Sequence, residues 1–287
     1  MDSSDQARGG RRGGMGHARH DGFEMLGEGL TLMAPYLVTV QQEAPGIDGA
    51  NAMPWNRLFV VPPHEQRIPA TVSLAEPRQA LALEPGTITW LPSDARLHFR
   101  FPVGFRMIAW HFRLEWAPGV DAFAGVARMR QTRDATMSRE LDALARRDAD
   151  AAALARLRGL LLAALSSFID EPLDALSRRL RTRQRYGKLL AAIDQQPRAD
   201  LGVAEMAREI GLGREGFTRA FRRDVGLTPR EYLRRALARH ASQRLLAGES
   251  VTSVAEGLRF SSPFWFSRFF KARLGAAPSA FGSLARR

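Results

Sequence analysis

Apolar residues change their period twice along the chain, and each change predicts a different kind of structure. Between residues 23 and 116 they fall in short runs rich in Val, Ile, Leu, Phe and Trp, such as Leu58-Phe59-Val60-Val61, Thr87-Ile88-Thr89-Trp90-Leu91 and Arg106-Met107-Ile108-Ala109-Trp110-His111-Phe112. These runs are separated by Pro and Gly. Pro85-Gly86 and Pro92 bracket one of them as turn residues should, and regularly spaced short strands indicate a sandwich or barrel. From 134 to 182 the period becomes helical. Leu141 and Leu144 form one stripe; Leu154, Leu157, Leu161, Leu165 and Phe168 form a second at spacings of three and four. Asp170-Glu171-Pro172 ends that helix, because proline cannot continue it. The second stripe can pack on the strand region or on its counterpart in a second subunit.

The last 85 residues repeat one pattern. The first copy holds Ala207, Gly211, Phe217-Thr218-Arg219-Ala220-Phe221, Gly226, Pro229 and Tyr232. The second holds Ala255, Phe266-Ser267-Arg268-Phe269-Phe270, Gly275, Pro278 and Phe281. The offset is 49 residues from the Phe-Thr/Ser-Arg step onward. Each copy reads as a short helix, a tight turn and a second helix, the layout that places one helix in the DNA major groove. In the first copy Gly211 supplies a left-handed residue to end the first helix. Phe217 and Phe221 face inward, while Glu215, Thr218, Arg219 and Arg222 face outward, with Arg214 at the start. Thr228-Pro229-Arg230-Glu231 opens a long connecting helix with a capping box. In the second copy Ser262-Pro263 is the N-cap and first-turn proline. Phe264, Ser267, Arg268 and Lys271 form its outward set. Arg suits guanine in the major groove, and an exposed Phe264 suits a thymine methyl.

Charge follows the same division. Residues 181–287 carry 21 Arg and Lys against 9 Asp and Glu, while residues 1–180 carry 21 of each sign. The whole net charge of +12 therefore lies with the repeats, which favours a polyanionic partner there. The chain has no cysteine, which excludes disulfides, thiolate metal sites and cysteine nucleophiles and fits a cytoplasmic protein. No long apolar run predicts a membrane span, and the basic N-terminus lacks the apolar core of a secretory signal. Residues 1–22 hold almost no large apolar side chain and are expected to be a disordered tail. Arg8, Arg11, Arg12 and Arg19 within it either touch DNA phosphates or belong to a loose tail.

From near Lys188 to the C-terminus the chain resembles the DNA-binding domain of the AraC/XylS family of bacterial transcription regulators. The segment Val254-Ala255-Glu256-Gly257-Leu258-Arg259-Phe260-Ser261-Ser262-Pro263-Phe264-Trp265-Phe266-Ser267-Arg268-Phe269-Phe270-Lys271, followed by Gly275-Ala276-Ala277-Pro278, carries the resemblance. The resemblance implies an N-terminal cupin-like barrel, for which Pro85 to Pro92 looks like the characteristic turn and strand. It also implies a helical dimerisation element. Base contacts are then expected from Glu215, Thr218 and Arg219 in the first unit and from Ser262, Pro263, Phe264, Ser267 and Arg268 in the second. Two residues depart from the pattern. Arg259 stands where the family has glycine, which strains a left-handed turn by roughly 1–2 kcal/mol unless the turn differs. Gly216 is a poor helix former within the first recognition helix.

The expected fold is α+β: a tail at 1–22, a cupin-like β-barrel regulatory domain at 23–133, a helical dimerisation and linker segment at 134–187, and an all-α tandem helix-turn-helix domain at 188–287. The expected function is a dimeric, ligand-responsive transcription regulator with double-stranded DNA and a small-molecule effector as partners, and RNA polymerase as a further candidate. Effector contacts are expected among Trp55, His64, Trp90 and Trp110, with Trp116 a further barrel aromatic. The alternative is a metal-dependent cupin enzyme with an appended DNA-binding module. Metal cupins need several His and a carboxylate converging on one ion. The barrel region offers only His64, His98 and His111, with no His-x-His pair. Neither a Gly-x-Ser-x-Gly elbow nor a Gly-rich phosphate loop is present, so no cofactor is expected.

Overall fold

The computed structural model describes residues 30–41, 46–63, 68–117, 120–146 and 150–282. The tail at 1–22 and His64 lie outside them. The strand region forms β1 (Thr31–Gln41), β2 (Ile47–Asn51), β3 (Asn56–Val60), β4 (Ala70–Leu74), β5 (Gln79–Leu83), β6 (Thr87–Leu91), β7 (Leu97–Phe101), β8 (Arg106–Ala117), β9 (Val120–Asp121) and β10 (Arg130–Arg133). All pairings are antiparallel. One sheet runs β1-β8-β3-β6-β10, with β9 added to β8, and the other runs β2-β7-β4-β5. The expected barrel is therefore two sheets whose ladders do not join into a closed ring among the described residues.

The alternation of side chains explains how the layers stack. On β7, Leu97, Phe99 and Phe101 are buried while His98 and Arg100 face solvent, so one face of the smaller sheet is wet. On β3 and β6 every residue is buried, so the larger sheet is covered on both faces. Phe59, Val61 and Leu91 pack toward Phe99 and Phe101 of the smaller sheet. Leu58, Val60, Ile88 and Trp90 point the other way, into a cluster with Leu141, Leu161, Leu165 and Phe168. That second cover comes from α1 (Ala135–Ala145) and α2 (Ala151–Ser166), capped by the Asp134 and Asp150 carboxylates, which accept from Met137 and Ala153 N–H. The leucine stripe thus divides. Leu161 and Leu165 are buried within this chain, Leu157 is half-buried, and Leu154 is exposed.

After α3 (Leu173–Gln184), the helices α4 (Gly187–Gln195), α5 (Val203–Glu209), α6 (Arg214–Val225), α7 (Pro229–Leu246), α8 (Val251–Gly257), α9 (Pro263–Leu274) and α10 (Pro278–Gly282) share one apolar core. Their core also takes in Met53 and Trp55 from the strand region, so the two parts are packed against each other.

Candidate nucleic-acid interface

Each repeat folds as a helix, a turn and a recognition helix. In the first, α5 ends at Gly211, whose φ of +69° is left-handed. Gly211 N–H donates to Arg208 O (3.1 Å) and Leu212 N–H to Ala207 O (3.0 Å). In the second, Arg259 occupies the equivalent place at φ +55°. Its N–H donates to Glu256 O (2.9 Å), and Phe260 N–H to Ala255 O (2.9 Å). The arginine therefore keeps the left-handed turn rather than altering it, and it carries the strain. Gly216 does not interrupt α6, which runs through it from Arg214 to Val225.

The recognition helices end alike. Gly226 (φ +81°) and Gly275 (φ +79°) each donate 2.9 Å bonds, to Arg222 O and Lys271 O. Phe217 and Phe221 are 5.4 Å apart, Phe266 and Phe270 5.7 Å apart, and all four are fully buried. The next aromatic in each repeat closes the cluster edge-on, Tyr232 on Phe221 (6.0 Å) and Phe281 on Phe270 (5.3 Å). These contacts fix which face of α6 and α9 turns outward. Arg214, Glu215, Arg219 and Arg222 on α6, and Pro263, Phe264, Arg268 and Lys271 on α9, are exposed. Thr218 and Ser267 are half-buried beside them, with the Thr218 hydroxyl donating to Arg214 O (2.8 Å). Ser262 is committed as N-cap, accepting from Trp265 N–H (3.3 Å). Among the described residues no carboxylate pairs with Arg219, Arg222, Arg268 or Lys271, leaving their charge for an external partner.

Trp265, absent from the expected outward set, is also exposed. Helical spacing from the inward Phe266 and Phe270 places it off the Phe264–Arg268 line, which is why the pattern passes over it.

The arginines along α7 divide differently. Arg234 is exposed, but Arg235, Arg239 and Arg244 have carboxylate partners within the chain. Asp94, in a turn between β6 and β7 with φ +59°, lies 3.3 Å from Arg235 and 3.5 Å from Arg273. Glu231 also reaches Arg273 at 2.8 Å. Asp194 on α4 accepts from Tyr232 (2.6 Å) and Arg239 (2.6 Å) and lies 3.7 Å from Arg113 of β8, which is itself bonded to Glu115. Burial pushes the Tyr232 hydroxyl pKa up, and the Asp194 charge adds to that shift. Burial likewise holds the Arg239 guanidinium below its ordinary value, with the nearby Arg113 charge acting in the same direction. Part of the basic excess is thus used to join the two parts of the molecule.

Between them is a cavity of about 570 Å³. Arg179, Arg183 and Arg239 lie on one wall, Phe123, Val225 and Leu227 are apolar neighbours, and the Asp94, Glu115, Asp121 and Asp224 carboxylates also line the space. Arg179 is paired with Glu171 and Arg239 with Asp194, whereas Arg183 has no carboxylate partner among the described residues. Arg179 donates to Asp121 O (2.7 Å), and Arg183 stacks over Tyr232 at 5.8 Å. Burial lowers the Arg183 pKa. None of the tryptophans expected to meet an effector lines this space. Trp90 lies 4.6 Å from Phe123 in the cluster beneath α1 and α2, which also takes Trp110, and Trp55 belongs to the core of the helical part. His98 pairs with Asp48 at 2.9 Å on the smaller sheet, whereas His111 is buried on the larger one. Burial and the neighbouring Arg57 push the His111 pKa down to about 3. Among the described residues no three His, Asp or Glu side chains converge as metal ligands. Nor is any helix among them long and apolar enough to cross a membrane.

A family model described as a helix-turn-helix domain matches residues 206–283. These residues form an AraC-type DNA-binding domain. The chain is 37% identical over 99 residues to an uncharacterized HTH-type transcriptional regulator of Escherichia coli, YidL, covering 34% of this chain and 33% of that one. It is 32% identical over 78 residues to the virulence regulon transcriptional activator VirF of Yersinia enterocolitica, covering 27% and 29%. The chain thus spans about a third of the length of these curated relatives. Nothing in the comparisons supports the enzyme alternative. Apo ToxT from Vibrio cholerae has the same fold at a TM-score of 0.60 and 11% identity, covering 90% of this chain and 99% of that one. ToxT bound to an unsaturated fatty acid matches at 0.53 and 10% identity, over 88% and 94%. The fold likeness extends beyond the AraC-type domain into the sheets that precede it.

Proposed function

We propose that this chain is a sequence-specific transcription regulator acting in the cytoplasm, in which an acidic small molecule bound between the sheets and the AraC-type domain adjusts DNA binding. The observation that carries the reading is the pair of capped recognition helices, each presenting unpaired cations outward from a shared aromatic core. Exposed Arg219 and Arg268 are positioned to grip guanine, and Arg214, Arg222 and Lys271 to neutralise phosphate. Arg183, the arginine on the cavity wall with no carboxylate partner among the described residues, suits the acid group of an organic anion, and the fatty acid named with ToxT is of that class. Arg239 on that wall belongs to the same helix that connects the two DNA-reading units, so an occupant there would bear on their placement. Dimerisation falls to the outer face of α2, around Leu154, because Leu161 and Leu165 are already covered.

The test is fluorescence anisotropy of the full chain on a duplex selected from a random pool. Arg219→Ala and Arg268→Ala each weaken binding by about 1–3 kcal/mol on the selected duplex and much less on random DNA. Equal losses on both would make these arginines phosphate clamps and remove the basis for sequence selectivity. For the effector, sodium oleate raises the melting temperature of the full chain and fails to do so after Arg183→Ala. An equal shift in both proteins would place the acid elsewhere.

A further inference from the structure

The two DNA-reading units are unlike at the start of their recognition helices. At the 49-residue offset, Phe264 and Trp265 correspond to Glu215 and Gly216. Phe264 is 63% exposed and Trp265 54% exposed, and their rings meet edge to face at 5.8 Å. Adjacent exposed aromatics cost solvation and need a reason. Neither ring folds back onto the core, which Phe260, Phe266 and Phe270 already fill. Their position in the first turn of α9 follows from Ser262 as N-cap and Pro263 as the first helical residue. In a helix-turn-helix unit the N-terminal residues of this helix contact base edges.

Arg268, four residues after Phe264 and three after Trp265, lies on the same side of the helix. Its guanidinium sits 5.8 Å over the Phe264 ring and 5.2 Å over the Trp265 ring. The rings therefore hold a cation at the outer surface of α9 where, among the described residues, no carboxylate does. In the major groove the only apolar group on a base edge is the thymine methyl.

We propose that Phe264 and Trp265 form a thymine-methyl reader in the second unit, beside the guanine-directed Arg268, while the first unit has no such element. The proposal rests on the DNA-binding reading above and adds a base preference confined to one half of the bound site. The unpaired Arg268 and Lys271 on the same helix face make duplex DNA the occupant rather than an apolar protein surface.

The test uses the full chain and a duplex selected from a random pool. Each thymine is replaced singly by uracil, which removes only the methyl, and then by 5-bromouracil, whose bromine is methyl-sized. At one or two thymines in one half of the site, uracil weakens binding about fourfold per methyl, the factor for burying one such group, and 5-bromouracil restores it. Phe264→Ala/Trp265→Ala, both surface changes, binds thymine and uracil duplexes equally while keeping salt-dependent affinity. Wild-type binding indifferent to uracil at every position overturns the methyl reader and leaves DNA binding standing. A double variant that still discriminates thymine from uracil overturns it as well. Binding to no duplex at low salt removes the DNA-binding reading itself, and this proposal with it.

Discussion

Replacing Asp194 by alanine removes a carboxylate that joins α4, α7 and the larger sheet. In the native fold it accepts from the Tyr232 hydroxyl and the Arg239 guanidinium, both at 2.6 Å, and faces Arg113 at 3.7 Å. The side chains of Asp194, Arg239 and Arg113 are only 11%, 12% and 15% exposed, so water from the cavity that Arg113, Tyr232 and Arg239 line replaces the lost partner only in part. Two hydrogen bonds involving a charge disappear, worth roughly 1.5–3 kcal/mol each. Arg113 and Arg239 are then left with Glu115 as the nearby counter-charge. Breaking a buried pair from one side typically costs about 3–5 kcal/mol, and that is the expected loss for Asp194→Ala. Urea unfolding followed by circular dichroism reads it as a lower midpoint at an unchanged slope. Asp174→Ala is the control, because Asp174 and Arg178 form a pair 74% and 64% exposed, and its midpoint should stay in place. An Asp194→Ala midpoint equal to that of the wild type would refute the buried junction.

Arg259→Gly relieves a left-handed residue and should stabilise the protein by about 1 kcal/mol, since the exposed Arg259–Asp200 contact at 3.6 Å gives little in return; a lower melting temperature would argue against the strain. His111 titrates near 3 when folded, against 6.5 unfolded, so the unfolded chain binds the extra proton between those values and stability falls as pH drops from 6.5 toward 3. The acid limb of a stability-versus-pH curve should flatten in His111→Gln, and an unchanged limb would contradict this. Leu161→Glu buries a charge against Trp90 and Leu165 and should unfold the sheet region at a cost of several kcal/mol. A folded monomer, seen by sedimentation and circular dichroism, would instead make Leu161 part of a subunit seam.

Local signals carried most of the helical half. The 49-residue repeat, the Ser262-Pro263 and Thr228-Pro229 starts and the Gly226 and Gly275 stops depend on neighbours in sequence, and the observed helices begin and end there. Strand existence was readable in the same way, with Thr87–Leu91 found as β6. The pairing of ten strands into two sheets was not, because ladders join residues far apart, as β10 joins β6. The same limit hid the roles of Arg235 and Arg239. On a helical wheel they resemble phosphate contacts, and only the fold brings Asp94 and Asp194 to them. Trp55 and Trp90 illustrate the ambiguity of strand aromatics: nothing local distinguishes a pocket wall from a core residue. The exposed Trp265 falls outside the outward set that the pattern predicts, because Phe266 and Phe270 define the inward face and that set follows the line of Phe264 and Arg268.

A regulator of the proposed kind places α6 and α9 in successive major grooves on one face of a duplex. Methylation interference at guanine N7, which lies in the major groove, tests that placement most directly on a selected duplex with the full chain. Two clusters of interference about one helical turn apart, near 10 base pairs, are predicted, with the second cluster lost in Arg268→Ala and the first in Arg219→Ala. A single cluster, or two that respond alike to both substitutions, would contradict that placement.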